Sequence, residues 1–489
     1  MPRSPSPTDS VTATGIPRPT FALLAAFAAF AFTIIVPTAL RDGDTGWHLA
    51  TGAWIVAHAS VPTTDPFSFT AAGRHWVAHE WLAELAMYAS YRAAGWSGLI
   101  VLVGAAMATL FALVAHQIRR WLSTRASVIA LLLLATGLLP SLLARPHILA
   151  LPILAAWTIA LLDARERDRS PPLIVVAVML VWANAHGSFV FGLALVGVFA
   201  LEALVVATPS DRRRAVVGWG VFSILSAIAA IATPAGIDGL TFPFYVNSLA
   251  LLQHLNEWQP AGFSSFSGFE AILLATLFVL LVRPVRIPPI RLLLLLGVLH
   301  LALQHTRQEI VLVVVGVLVL AQPLGTVWTA QADAATARHG LRDSRSIFAV
   351  VLLLAAGLSA YRIAVPVIRT DSAALPVTAL RHVPPALRGQ PVFNDYGFGG
   401  SLILAGIRPY IDGRSDMYGD PFTLDYVAIA GGDVARWQAA NAKWHFGWTI
   451  LPPRSKLVTL LDRDPAWRRI YADDSAVIHE AVPPARPSP

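Results

Sequence analysis

Arg41-Asp42-Gly43-Asp44-Thr45-Gly46-Trp47-His48 follows directly on the first long apolar segment of the chain. Two carboxylates and an imidazole at the lip of a membrane span are costly to place, and ionisable groups there mark a functional site by default. The segment before them, about 20–40, is long enough to span, since a crossing takes roughly 20 apolar residues. The stretch after them, Arg41 to Trp96, is too long for a mere connector and holds further His, Asp, Glu and Trp residues.

The composition agrees with a membrane setting. Of 489 residues, 56% are hydrophobic and 13% charged, against about 25% charged in a soluble domain. The net charge of +7 does not point to nucleic acid, because the Lys and Arg residues lie mostly in short loops between apolar spans. The absence of cysteine excludes disulfides, thiolate metal sites and Cys nucleophiles.

The chain is therefore expected to be a polytopic α-helical membrane protein. Apolar runs at about 20–40, 97–116, 126–143, 148–162, 172–185, 188–207, 215–232, 269–282, 292–304, 309–323 and 347–366 suggest about eleven transmembrane helices. Residues 1–19, rich in Pro, Ser and Thr, read as a disordered cytoplasmic tail before a retained signal-anchor, and 483–489 as a second tail. With the N-terminus inside, Arg119-Arg120 with Arg125, Arg165 to Arg169, Arg212 to Arg214, Arg283 to Arg291 and Arg338 to Arg345 all face the cytoplasm, as the positive-inside rule requires. This gives an N-in/C-out topology: a membrane domain over 20–366, its first outer loop at 41–96, and a small α/β outer domain over 367–482.

The first outer loop carries the densest chemistry. Trp47 to Ala57 and the run opening at His79-Glu80-Trp81 have the spacing of amphipathic helices lying on the membrane surface, with a turn-rich section from Val61 to Ser68 between them. Asp42 and Asp44 flank a glycine and can converge on one cation or one substrate hydroxyl. A carboxylate or His beside a hydroxyl can act as general base, which makes Asp42, Asp44, His48, His79 and Glu80 the catalytic candidates. A hard divalent cation, Mg or Mn, would want the oxygens of Asp42, Asp44 or Glu80. Equally, Asp42 could cap the helix while Asp44 and His48 anchor it at the headgroups. His79-Glu80 does not complete a zinc-protease motif, because residue 83 is Ala83.

Polar clusters recur on the outer side: Arg145-Pro146-His147, Asn184 with His186, and His305 with Arg307 at the outer ends of later spans, and Glu257-Trp258 in the long outer loop after the seventh span. Arg145 and Arg307 lie on the outer side, so topology does not explain them, and guanidinium forks match phosphate oxygens. In the outer domain, Asp395-Tyr396 precedes a glycine-rich helix start, and Asp412 and Arg414 alternate along the chain. They offer a sugar or anion site, or a tight turn with a buried Asp–Arg pair. A transporter or flippase of lipid-linked glycans and a non-catalytic envelope-polysaccharide assembly factor remain competing readings. Convergence of the outer polar residues would favour an enzyme.

The layout resembles the GT-C superfamily of integral-membrane glycosyltransferases, which use polyprenyl-phosphate-linked sugar donors. Asp42-Gly43-Asp44 takes the place of that superfamily's acidic motif after the first span. Trp47-His48-Leu49-Ala50-Thr51-Gly52, Asp65-Pro66-Phe67-Ser68 and His79-Glu80-Trp81-Leu82 are similar to a bacterial branch of it. Phe393-Asn394-Asp395-Tyr396-Gly397 is faintly similar to the Trp-Trp-Asp-Tyr-Gly signature of oligosaccharyltransferase catalytic subunits, with both tryptophans replaced. The resemblance implies an inverting transfer to a glycan, lipid or protein acceptor at the outer face of the bacterial inner membrane. In it Arg145, Arg307 or a cation would steady the lipid phosphate, and Asp42 or Asp44 would act on the acceptor hydroxyl.

Overall fold

A computed structural model describes residues 16–327 and 340–482. Most of the tail expected over 1–19, the tail 483–489 and much of the basic cluster from Arg338 to Arg345 lie outside the described residues.

The chain runs through α1 (Arg18–Ile35), α2 (Thr45–His58), α3 (Trp81–Ile118), α4 (Thr124–Leu138), α5 (Pro146–Glu166), α6 (Val176–Ala185) and α7 (Phe189–Val206). It continues through α8 (Arg212–Ile231), α9 (Ile237–Asn247), α10 (Gly268–Val282), α11 (Pro289–Gln304), α12 (Glu309–Val327), α13 (Gly340–Ala364) and the short α14 (Val377–Arg381). Among the described residues, eight helices are long and apolar enough to cross a membrane, so the chain is a multi-pass membrane protein. Three shorter apolar helices, Leu173–Ala185, α10 and α11, stand where three more spans were expected. At about 1.5 Å per residue they fall short of the roughly 30 Å hydrocarbon core.

The membrane core is built on α3, whose Leu99, Ile100, Val103, Leu110 and Val114 are buried against α1 and α5. Trp157 of α5 stacks on Phe222 of α8, with ring centroids 5.5 Å apart. Leu277, Phe278 and Leu281 of α10 and Leu293 of α11 stay exposed, as side chains that meet lipid tails can. α3 kinks at Ala94 and Gly95, where Gly95 takes a φ of +59°. The kink separates a loop helix from the span proper. The basic clusters sit at the ends of α3 and α5 and the starts of α8 and α11, while Arg145 lies before the start of α5 and Arg307 after the end of α11.

The first loop differs from expectation in one respect. α2 forms where the spacing placed it, but it does not lie open on a surface. Thr45, Trp47, His48, Leu49, Thr51 and Ile55 are buried, because α2 is held between α3 and the C-terminal helix α15 (Gly399–Leu404). The approach to α15 is close enough that a Cβ on Gly46 would lie 2.1 Å from the Gly400 carbonyl oxygen. Only glycine fits there.

After α13 the chain builds a small α/β unit. Strands β1 (Val392–Asn394), β2 (Trp448–Leu451), β3 (Trp467–Ala472) and β4 (Val477–Ala481) form one sheet in the order β1-β2-β4-β3. β1 and β2 are parallel, and the other pairs are antiparallel. Phe393, Tyr410, Trp437 and Phe446 pack in one core, which also takes in Trp47 and Trp76 of the first loop. Val392, Phe398, Trp448 and Ile478 fill the other. The first loop and the C-terminal unit thus share a hydrophobic core.

Candidate active site

The turn Thr38–Arg41 ends α1 and leaves Asp42 extended, at φ −92° and ψ 134°. From there the Asp42 carboxylate reaches the start of α2, where its Oδ2 accepts from the Thr45 amide at 3.0 Å and the Thr45 hydroxyl at 3.3 Å. The same hydroxyl lies 3.1 Å from the Ala144 carbonyl, so its one proton is shared between the two acceptors, and the Ala144 amide donates to the Ala39 carbonyl at 2.8 Å. These bonds lay the segment before α5 along the turn and deliver Arg145 to the two aspartates.

Arg145 grips Asp42 with two parallel bonds, Nε to Oδ2 at 2.8 Å and Nη2 to Oδ1 at 2.5 Å. Its Nη2 also lies 2.9 Å from Asp44 Oδ2. On its other edge, Nη1 stands 3.4 Å from Glu257 Oε2, and Arg307 Nη1 is 3.5 Å from Glu257 Oε1. Arg307 rests over the Trp258 ring at 4.5 Å, while His305 meets the Trp258 carbonyl at 2.9 Å. The result is a ladder of alternating charge, Asp42–Arg145–Glu257–Arg307, with Asp44 beside Arg145. It opens outward, since the Glu257 side chain is 43% exposed and Asp42 only 5%.

The two aspartates differ electrostatically. Burial raises Asp42, but the Arg145 fork overrides it and holds the carboxyl down at about 2. Burial pushes Asp44 up to about 7 despite Arg145, helped by the negative charges of Asp42 and Glu257. Asp42 is a fixed anion and Asp44 a carboxyl that exchanges its proton near neutrality.

A second cluster lies alongside. Glu80 and Glu84 stand one turn apart at the start of α3, and His48 of α2 faces both, its Nδ1 3.1 Å from Glu84 Oε1 and 3.8 Å from Glu80 Oε2. His186 Nε2 is 3.3 Å and His79 Nε2 3.6 Å from Glu80 Oε1. Burial pushes Glu80 up to about 8 and His79 down to about 4, and holds His48 and His186 well below the usual imidazole range. This cluster is kept neutral where the ladder is charged. The charges of Arg307, Arg145 and Glu257 still bear on Glu80, so the two form one polar layer. The His147 ring lies 6.4 Å from that of His186, and its Nε2 meets the Ser141 carbonyl at 2.9 Å.

The expected cation set of Asp42, Asp44 and Glu80 does not fit. The Arg145 guanidinium sits between the two aspartates, where a Mg or Mn ion would need the same oxygens. Among the described residues, the group whose ligand atoms come within 4.8 Å of one another is His48, Glu80 and Glu84.

Four other candidates spend their polar groups inside the fold. Asn184 accepts from Trp81 Nε1 at 2.8 Å and donates to the Leu180 and Ala232 carbonyls, tying α3, α6 and α8 together. Asp395 accepts from the Gly397 amide at 2.9 Å and shapes the turn after β1. Asp412 and Arg414 form a sealed ion pair that also takes in Asp65 of the first loop, with Arg414 Nη1 2.7 Å from Asp65 Oδ1. Tyr396 stays near the centre: its hydroxyl donates to the Gly413 carbonyl at 3.2 Å, and the Asp44 charge bears on it.

Two residues of this region carried a signal that the sequence reading did not use. Glu84 is the i+4 partner of Glu80 on a helix face. Arg369 follows α13 and donates Nη2 to the Asp42 carbonyl at 2.9 Å, with its guanidinium 4.2 Å over Trp96. Like Arg145 and Arg307, it lies off the basic-cluster side, and the same criterion finds it.

No protein-family model matches the chain, and no curated protein sequence matches it. Solved structures do. ArnT from Cupriavidus metallidurans bound to undecaprenyl phosphate is 13% identical at a TM-score of 0.52, over 94% of this chain and 97% of that one. AglB, the archaeal oligosaccharyltransferase from Archaeoglobus fulgidus, in complex with an inhibitory peptide and a dolichol-phosphate, is 12% identical at a TM-score of 0.52, over 88% of this chain and 69% of that one. The apo form of the Archaeoglobus fulgidus oligosaccharyltransferase gives 12% and 0.51 over the same shares. At such identities the likeness is one of fold: the chain shares the fold of the GT-C integral-membrane glycosyltransferases, the superfamily its first loop resembles.

Proposed function

We propose that the chain is an inverting membrane glycosyltransferase, moving a sugar from a polyprenyl-phosphate-linked donor to an acceptor hydroxyl at the outer face of a bacterial inner membrane. The observation that carries this reading is the ladder Asp42–Arg145–Glu257–Arg307 with Asp44 at its inner end. The Glu257 carboxylate spans the two guanidinium groups as a phosphate would, through long contacts on an exposed side chain. A donor phosphate that displaces it gains both arginines.

In that complex the acceptor hydroxyl gives its proton to the Asp44 carboxylate as its oxygen attacks the anomeric carbon from the face opposite the phosphate. The bond from that carbon to the phosphate oxygen breaks, and the lipid phosphate leaves with the electron pair, its charge met by Arg145 and Arg307. Asp42 holds Arg145 in place from behind. The lipid-phosphate ligands named for ArnT and AglB support this class of donor.

The test is a transfer assay with the full chain in detergent and a panel of polyprenyl-phosphate sugars, with and without chelator. Transfer by wild type that disappears in Asp44→Asn supports the reading. Full transfer in both Asp42→Asn and Asp44→Asn removes it. Movement of lipid-linked glycan across vesicles without any transfer would favour a transporter.

A further inference from the structure

We propose that His48, Glu80 and Glu84 bind a divalent transition-metal ion of the zinc class, at a site separate from the Asp42–Arg145–Asp44 group. This rests on geometry within the first loop and not on the transfer reaction.

Donor spacing is the first argument. Zinc bonds of about 2.0–2.1 Å at tetrahedral angles put neighbouring donor atoms about 3.3 Å apart. His48 Nδ1 lies 3.1 Å from Glu84 Oε1 and 3.8 Å from Glu80 Oε2, close on either side of that value. The spacing is built into the helices: Glu80 and Glu84 share one face of α3, and Gly52 lets α2 approach it.

An orphaned atom is the second. Glu84 Oε2 is buried with no hydrogen-bond partner, in a side chain only 1% exposed. A buried carboxylate oxygen left unmet carries the cost of its lost hydration, and a cation held by the Glu84 carboxylate would offset it.

The surrounding hydrogen bonds assign roles. The Ser188 amide donates to His186 Nδ1 at 3.1 Å, which leaves the ring proton on Nε2, aimed at Glu80 Oε1. His186 therefore orients a ligating carboxylate and is not itself a ligand, the usual supporting arrangement around metal ligands. His79 gives its Nδ1 proton to the Val77 carbonyl at 3.2 Å, so its Nε2 lone pair is directed to the Glu80 side. One imidazole and two carboxylates suit zinc or cobalt over magnesium, which prefers an all-oxygen octahedron. Three protein ligands leave a fourth position open.

The rival arrangement has no metal: a neutral His48 donating its Nδ1 proton to Glu84. Metal content of the full chain separates the two. The protein is purified on a tag without histidines, loaded with zinc, dialysed and measured by mass spectrometry. About one zinc per chain is expected in wild type, retained in Asp42→Asn and lost in both His48→Asn and Glu84→Gln. His186→Asn is expected to weaken binding by roughly 10- to 100-fold. Wild type with no more zinc than Glu84→Gln, or both ligand variants keeping wild-type zinc, overturns the site. Where a ligand variant fails to fold, cobalt titrated into wild type decides: saturable ligand-field absorption displaced by zinc supports the site, and its absence refutes it. No sugar donor enters these measurements, so they stand or fall apart from the glycosyl-transfer reading.

Discussion

Two Asp-Gly turns meet in this protein, Asp42-Gly43-Asp44 of the first loop and Asp412-Gly413-Arg414 of the C-terminal unit. Each pairs aspartate with a bidentate arginine. Arg145 serves the first, and Arg414 binds Asp412 with Nε at 2.8 Å and Nη2 at 2.6 Å. Their surroundings differ. The side chains of Asp412, Arg414 and Asp65 are at most 1% exposed, closed over by Trp76 and Phe67 against the guanidinium and by the Tyr418 hydroxyl at 2.8 Å from Asp412. The first turn stays open along Arg145, at 21%, and Glu257. A sealed pair can hold two parts of a chain together but has no face for a substrate. An open pair with a displaceable carboxylate has one.

The sharpest way to break this contrast is Arg414→Ala. Removing one partner of a buried pair strands the others, here Asp412 and Asp65, at a cost of about 3–5 kcal/mol. The expected result is a large fall in Tm in detergent, with transfer lost as the first loop parts from the C-terminal unit. A variant with wild-type Tm would mean that the turn is not a latch.

Asp44→Asn probes the open turn and should do the reverse, leaving Tm near wild type while kcat falls by roughly 10²- to 10⁴-fold, the span of a general base. Asp44 is raised to about 7 by burial, with Arg145 opposing and Asp42, Glu257 and Asp412 adding. The base form appears only as pH rises, so wild-type kcat should climb through about pH 7 and then level. The neutral carboxyl is the form the fold favours, so the same deprotonation costs stability between the usual carboxylate range and about pH 7. A kcat that is flat from pH 5.5 to 8.5 would argue against Asp44 as the base.

The two turns also touch. A Cβ on Gly413 would lie 2.1 Å from Asp44 Oδ1, so Gly413→Ala must push the carboxylate aside. A displacement near 1 Å costs up to about 100-fold in rate, and a fall of tenfold or more in kcat is expected, with the donor KM less affected. Unchanged kcat would show that the C-terminal unit does not position Asp44.

What the sequence made legible follows from how far each signal reaches. The apolar runs and the acidic motif are local in the chain. Arg145 and Arg307 stood out because they break the rule that gathers basic residues on one side of the membrane. Arg369 breaks it as well, and only the length of the following unit hid it. Burial is a tertiary property, so residue type could not separate Asp42–Arg145 from Asp412–Arg414, nor show that the Asn184 amide is spent on Trp81, Leu180 and Ala232. α2 looked like a surface helix because its other cover, α15, lies some 340 residues downstream. The expected cation set was out of reach for a similar reason: Asp42 and Asp44 are near Glu80 in the chain, but the Arg145 guanidinium lies between the two aspartates.

The smallest effect tests the open edge itself. Glu257 is half exposed and joined to Arg145 and Arg307 by contacts of 3.4 and 3.5 Å, so solvent screens it. Such a pair is worth about 0.2–1 kcal/mol. If a donor phosphate must displace this carboxylate, Glu257→Gln removes a competitor and should lower the donor KM by about two- to fivefold, with kcat nearly unchanged. The gap between variant and wild type should narrow as salt rises, because added ions weaken the exposed pair in wild type. A donor KM that rises instead, or a kcat that collapses, would mean that Glu257 works on the substrate and does not hold its place.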